Sequence, residues 1–407
     1  MPTAEFDLPA GHQPMDPGPV TPFPEAGAPE EEVLDGVAAR LEVNRYRQAR
    51  NFAITYSGLP HPIASRVEAL MPGTFFVEWA TGTEAGTWSM EREAIRMMAS
   101  LLGNPDATGF LTSGGTESNL AAMRLMRNTG RRERPRIVVP VTMHFSFRLG
   151  AELMGIELDE IPVDGDTFQP RLEDIEGAIT PDTVGLVVSS PGGSFGVMDP
   201  IEAVADLGWR KGLPVHVDAA FGGFILPFMR DLGHPVPPFD LAVKGVTTIM
   251  TDGHKLGLLP TSTGFFLAND PAMIESVPTE RTLIHTTSST KPGSRAAAAW
   301  ATFRHLGRQG YRDSTAHVLR IRDLIVDGVT AVPGMRTLVP PFITVVAFTS
   351  DTVDLARVHA RMAEDGWGQS HGAIRGRPYL RLSIHPSRDE EHARGFVHAF
   401  QAAVRAG

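Results

Sequence analysis

The 407-residue sequence contains no cysteine. Disulfides and thiolate catalysis are therefore excluded, and any covalent nucleophile must be another residue type. Nor is there an apolar run long enough to cross a bilayer. The opening M-P-T-A-E-F-D-L-P-A lacks both the basic region and the apolar segment of a signal peptide, so a cytoplasmic protein with no membrane partner is expected. Positive charge is in deficit: 37 Lys and Arg against 47 Asp and Glu give a formal net charge of −10, which leaves no electrostatic footprint for nucleic acid. No internal repeat is visible, and no metal is expected.

What is present is the composition of an ordinary globular enzyme, 42% hydrophobic and 21% charged, in a chain long enough for a large domain and a smaller companion. Residues 1–30 are crowded with proline and read as a loose arm. Residues 31–88 read as an N-terminal helical and loop segment, with Val33, Leu34, Val37 and Leu41 at helical spacing. Residues 89–291 read as a large α/β domain. It opens with a helix over 89–102 that turns Met90, Ile95, Met98 and Leu102 inward, and continues in β-α-β alternation through R-I-V-V-P, V-G-L-V-V-S-S, P-V-H-V-D-A, V-T-T-I-M-T and G-F-F-L-A. Residues 292–407 read as a small C-terminal domain, in which T-V-V-A-F-T and Y-L-R-L-S-I look like strands.

The chemistry concentrates between Pro214 and Pro260, which begins P-V-H-V-D-A-A-F-G-G-F and ends T-D-G-H-K-L-G-L-L-P. A buried lysine amine beside a histidine can form a Schiff base with an aldehyde cofactor, and Lys255 is the only lysine set directly after a histidine, His254. Asp218 closes an apolar run, where it can pair with a pyridinium nitrogen and keep the ring an electron sink. Taken singly, Lys255 also reads as a solvated loop lysine and Asp218 as a helix cap. Upstream, G-F-L-T-S-G-G-T-E-S-N brings a short apolar piece to a glycine turn that opens a helix. Gly114 and Gly115 allow the backbone close to an anion, Ser113 and Thr116 offer hydroxyls, and the first helical N–H groups point outward. A plain strand-to-helix turn would share this pattern. His144 sits where V-T-M-H-F-S-F enters a helix, and could lie flat on a cofactor ring and pass a proton, or be a satisfied polar group. The stretch M-A-E-D-G-W-G-Q-S-H-G-A-I-R-G-R-P reads as a glycine-rich loop. Its Arg375 and Arg377, with Arg381 beyond, could reach an anionic substrate group or be solvated.

The ordered set S-G-G-T-E-S-N, H-F-S-F, H-V-D-A-A-F-G-G-F and D-G-H-K-L-G-L-L-P resembles the group II decarboxylases dependent on pyridoxal 5'-phosphate (PLP), most nearly their archaeal tyrosine/aspartate branch. The resemblance implies the PLP-dependent transferase-like fold type I: an α/β large domain with a seven-stranded, mostly parallel sheet, a smaller C-terminal α+β domain, and a homodimer with shared active sites. It makes Lys255 the Schiff-base lysine, Asp218 the pyridinium partner and His144 the ring-stacking residue. Gly115 and Thr116 would hold phosphate with help from His254, and Ser113, Gly114 and Ala220 would complete the cofactor lining.

Sphingosine-phosphate lyase is also similar, through F-D-L-A-V-K-G-V-T-T-I-M-T-D-G-H-K and through S-S-P-G-G-S-F-G-V-M-D-P, where decarboxylases commonly carry paired threonines. Lys291 stands where relatives tend to have arginine. The expected reaction is α-decarboxylation of an L-amino acid, aspartate, tyrosine or a related one. The alternative is retro-aldol cleavage of a β-hydroxy amine or its phosphate, and a third reading is a scaffold that binds cofactor without chemistry. Aromatic amino-acid decarboxylases resembling this chain protonate the carbanion from a loop tyrosine. The tyrosines here are Tyr46, Tyr56, Tyr311 and Tyr379, none of them in the loop before Lys291. His285 lies in that loop and is the expected substitute donor, although a solvated histidine would fit there too.

Overall fold

A computed structural model of the protein describes residues 26, 28–54, 58–71, 86–191, 194–275 and 291–406, with the side chains of 43–49 set aside. Seven strands form the main sheet: β1 (Thr108–Thr112), β2 (Arg136–Pro140), β3 (Glu157–Ile161), β4 (Thr183–Ser189), β5 (Val215–Asp218), β6 (Val246–Asp252) and β7 (Gly264–Ala268). Their order is β1-β7-β6-β5-β4-β2-β3. The run from β3 to β6 is parallel, and β7 is antiparallel to both β6 and β1. Two reversals cancel, so β1 points the same way as β6. The carboxyl ends of β1, β2, β4, β5 and β6 therefore share one edge, which is where open α/β sheets place their ligands. Crossover helices such as Ile201–Lys211 cover the sheet, and all seven residues of β4 are buried, as a central parallel strand requires.

A second sheet follows, β8 (Met335–Thr337), β9 (Val345–Ser350), β10 (Ser370–Ile374) and β11 (Arg377–Ser383), ordered β10-β11-β9-β8 and antiparallel throughout. The helix Gly293–Thr330 leads into it, interrupted at Gly307, whose φ of 56° and ψ of −170° break the helical run. Its buried Ala296 to Ala299 stretch allows close packing against the helix Thr87–Leu101. The two sheets with their helices form the expected architecture, a large α/β part with a mostly parallel sheet and a smaller C-terminal α+β part. Among the described residues, no helix is long and apolar enough to cross a membrane.

Three local readings change. The stretch expected as a glycine-rich loop contains β10, and its last residues are a hairpin turn with Arg375 at φ 49° and Gly376 at φ 74°. The partners of S-H-G-A-I lie on β11, so its strand character comes from pairing rather than from its own composition. In the helix expected over 89–102, Ile95, Met98 and Leu102 are buried but Met90 is only half-buried. The first helix runs Glu30–Ala49 and leaves Val33, Leu34, Val37 and Leu41 about half exposed, at 52, 57, 48 and 47%. Its periodicity reports a helix, not burial within the described chain.

Candidate active site

The turn between β1 and the helix Gly115–Gly130 forms one wall. Gly114 has φ 129°, a conformation that L side chains rarely adopt, and a Cβ there would come within 3.1 Å of His254. A Cβ on Gly115 would meet Asp252 Oδ2 at 2.7 Å. Bare backbone thus lies against the end of β6, and the amino end of a 16-residue helix opens beside it with Ser113 exposed and Thr116 half-buried. Such a helix start favours an anion through its dipole and its outward N–H groups. Glu117 folds back to accept from the Ser113 N–H at 2.6 Å, which fixes the turn. The His254 Nδ1–H donates to the Thr263 carbonyl at 3.0 Å and sets that ring over Gly114.

Lys255 follows β6 by one turn. Its Nζ lies 2.8 Å from Asp252 Oδ2 and 4.6 Å from the Phe221 ring centroid, with the side chain 14% exposed. Burial pushes the Asp252 carboxyl up, but the charges of Lys255, His254 and His144 and a hydrogen bond from Lys255 outweigh it and hold the group below its ordinary value. Asp252 Oδ1 is buried without a hydrogen-bond partner among the described residues. The other lysines are placed differently: Lys211 pairs with Glu176 at 3.0 Å, and Lys244 lies over the Trp209 ring at 4.5 Å. Lys291 bonds Glu91 at 2.6 Å and the Leu111 carbonyl at 3.3 Å.

Asp218 ends β5, 5% exposed. Its Oδ1 accepts from the Ala220 N–H at 3.1 Å and its Oδ2 from Asn119 Nδ2 at 3.0 Å. His144 follows β2 on the same sheet edge. Burial pushes its imidazole below the ordinary value, Lys255 adds to that, and Asp218 and Asp252 pull the other way, so all three groups lie within electrostatic reach of the ring. The structure therefore brings Ser113 to Thr116, His144, Asp218, Ala220, His254 and Lys255 to one edge of the main sheet. His285 lies outside the described residues.

The three arginines separate. Arg375 donates to the Val163 carbonyl at 2.7 Å, and Arg377 reaches the Gly165 carbonyl at 3.5 Å and Asp166 at 3.3 Å. Both clasp the loop after β3 from the β10–β11 hairpin and so tie the two sheets together. Arg381 lies further along β11, on the face shared with Tyr379 and Ser383, while Leu380 and Leu382 fill the core behind. Tyr379 packs edge-on against Phe195, which belongs to the loop beyond β4, so this face turns toward the main sheet's ligand edge. Among the described residues the enclosed Arg381 Nε has no hydrogen-bond partner, and burial lowers the guanidinium pKa. Two residues past β11, His385 is fully buried beside the Lys255 backbone.

Sequence reasoning missed Asp252, Asn119, His216 and Ser146. Asp252 stands three residues before Lys255, and Asn119 stands one helical turn after Gly115, so spacing could have marked both. His216 and Ser146 become visible only through the pairing of distant elements.

These residues suit PLP. The glycine turn offers a cradle that side chains would fill, Lys255 an enclosed amine for its aldehyde, and Asp218 a fixed carboxylate for its ring nitrogen. Residues 75–350 match the pyridoxal-dependent decarboxylase conserved domain. A probable L-aspartate decarboxylase of Thermococcus gammatolerans is 33% identical over 94% of this chain and 100% of its own length. A sphingosine-1-phosphate lyase of rice is 36% identical over 68% of this chain but 54% of its own length. Among solved structures, a sphingosine-1-phosphate lyase of Burkholderia pseudomallei superposes with a TM-score of 0.84 at 27% identity, covering 96% of this chain and 94% of the other. The chain belongs to the pyridoxal-dependent decarboxylase family, as a carbon–carbon lyase with PLP as its cofactor.

Proposed function

We propose that the protein removes the α-carboxylate of an acidic L-amino acid, L-aspartate foremost, leaving the corresponding amine. The observation that carries this reading is Arg381: a half-buried arginine whose enclosed Nε has no partner among the described residues, on a face turned toward the ligand edge, suits a carboxylate ligand. The relative named as a probable L-aspartate decarboxylase supports it by matching from end to end, whereas the rice lyase is matched over about half its length.

PLP, when bound, supplies the electron sink for the charge left at Cα. Lys255 is the amine that would anchor the cofactor. The Gly114–Gly115 turn and the helix start behind it, with Thr116 and His254, hold the phosphate. Asp218 holds the ring-nitrogen proton, with its own oxygens fixed by Ala220 and Asn119. His144 covers the ring. Arg381 would grip a substrate carboxylate and so fix the orientation of the bond to be broken. His285 remains the proposed proton donor.

The cleavage of a β-hydroxy amine phosphate is favoured instead by the close superposition on the Burkholderia lyase. A panel of L-aspartate, L-glutamate and L-tyrosine beside β-hydroxy amines and their phosphates separates the two. Stoichiometric CO₂ and amine from an acidic amino acid are expected, and aldehyde release without CO₂ would replace this reading by the lyase. The proposal extends to a homodimer, supported by the exposed apolar stripe of the helix Glu30–Ala49. Light scattering that finds a fully active monomer would remove that part.

A further inference from the structure

A chain of buried hydrogen bonds runs beneath the site, and its donors and acceptors can be assigned from one end. Asp218 Oδ2 lies 3.0 Å from the Asn119 amide and, as a carboxylate oxygen, can only accept, so it is the Asn119 nitrogen that faces it. The second N–H of that nitrogen points to Ser146 Oγ, also at 3.0 Å. Asn119 Oδ1 must then accept, and its partner is His216 Nε2 at 3.1 Å. His216 carries its proton on Nε2 and takes the Thr248 hydroxyl on Nδ1 at 2.9 Å. Burial holds that imidazole neutral by pushing its pKa down to about 4.

At the other end, Ser146 Oγ already accepts from Asn119, so its own proton is available to His144 Nδ1 at 2.9 Å. The Ser146 backbone N–H faces the same Nδ1 at 3.4 Å. Two donors converge on His144 Nδ1, which must present a lone pair. Asn119 and Ser146 are 1% and 0% exposed, so water does not compete for these bonds.

We propose that Asn119 and Ser146 are positioning residues that hold His144 as the neutral Nε2–H tautomer, so that the ring covering the cofactor offers one donor, from its outer edge, to an anionic group of the substrate. This inference rests on the reading of His144 as an active-site residue. In this state His144 orients a ligand by a hydrogen bond rather than supplying a proton, since losing Nε2–H would leave an imidazolate. Asp218 and His144 are also joined: one Asn119 amide donates to Asp218 and to Ser146, whose hydroxyl in turn donates to His144, so a shift of either is felt by the other.

The test is a long-range ¹H–¹⁵N correlation spectrum of the holoenzyme with ring-labelled histidine, the His144 signals being identified by their loss in His144→Gln. The expected wild-type pattern at neutral pH is protonated Nε2 and unprotonated Nδ1. A cationic or Nδ1–H pattern overturns the proposal without any variant. Ser146→Ala should shift His144 toward a mixture of tautomers and lower kcat/KM by roughly 10- to 100-fold, the scale seen when outer partners of functional histidines are removed. Ser146→Thr should restore both. A wild-type tautomer that persists in Ser146→Ala would also sink the idea. The spectrum does not depend on the substrate, so aldehyde release in place of CO₂ would overturn the proposed function and leave this result standing.

Discussion

Asp218, buried, and Arg381, half-buried, are two charged groups that the protein holds in opposite ways. Each Asp218 oxygen has a donor, and the donor to one of them, Asn119, is held by two further residues. Arg381 has an enclosed Nε with no partner among the described residues. A satisfied buried network is rigid and specifies one arrangement, whereas an unsatisfied buried donor costs about 1–3 kcal/mol until something pairs with it. At the floor of the site the Asp218 end is thus fixed before any ligand arrives, and the Arg381 face opposite is completed by one. A cofactor that stays calls for the first, and a substrate that comes and goes calls for the second.

The largest effect expected from breaking the floor is at Lys255. Lys255→Ala should remove the visible absorbance of lysine-bound cofactor and lower turnover by on the order of a thousandfold or more, read by spectrophotometry and amine release. Asp218→Asn should leave the circular dichroism spectrum and much of the cofactor binding intact while reducing kcat by on the order of 10²–10³, the cost of removing one fixed electrostatic partner. Near-normal turnover in that variant would mean that the ring-nitrogen contact is misassigned.

On the opposite face, Arg381→Met should raise KM for an acidic amino acid by about 10- to 100-fold, from the loss of a charge-assisted pair worth about 1.5–3 kcal/mol. Its unfolding stability should be unchanged or higher, because a desolvated cation is removed. Arg375→Ala should do the reverse. It should cost about 1 kcal/mol in urea unfolding by freeing the loop after β3, and leave KM unaltered. If the two variants exchange phenotypes, the substrate contact lies at the hairpin turn after all.

A smaller effect follows from pH. Burial lowers His216 from 6.5 to about 4, and burial with the nearby Arg388 lowers His385 to about 3. The unfolded chain therefore takes up these protons first as pH falls, and stability drops between about pH 6.5 and 4. Asp199 opposes this: burial raises it to about 7, so the folded chain keeps a proton that the unfolded chain releases above about pH 3.8. Two protons against one leave a net loss of stability as pH falls, and His61, His144 and His359, which burial also holds below the ordinary value, add to it. Urea midpoints at pH 6.5, 5.5 and 4.5 measure the slope, and Asp199→Asn should steepen it.

Much of the floor was legible in the sequence because its residues fall in short ordered stretches at strand ends. Lys255 and His254 are adjacent, Asp218 closes an apolar run, and Gly114 and Gly115 mark a turn that only glycine makes easily. The network beneath was not legible. Asn119, Ser146, His216 and Thr248 meet only because β5 lies between β4 and β6 and the helix after β1 crosses beneath them, a fact of sheet order rather than of spacing. The arginines were found as a group, but their division was hidden. Arg375 and Arg381 differ by their place on a hairpin, and β10 has too little strand character to reveal that hairpin without its partner. The exposed stripe on the first helix shows the same limit, since periodicity identifies a face and not what covers it.

The central claim is that the floor holds PLP through one lysine among the four in the sequence, Lys211, Lys244, Lys255 and Lys291. Borohydride reduction of the purified protein followed by peptide mass mapping tests it most directly. The expected result is a pyridoxyl group on Lys255 alone; a label on Lys211, Lys244 or Lys291, with Lys255 unmodified, would contradict it.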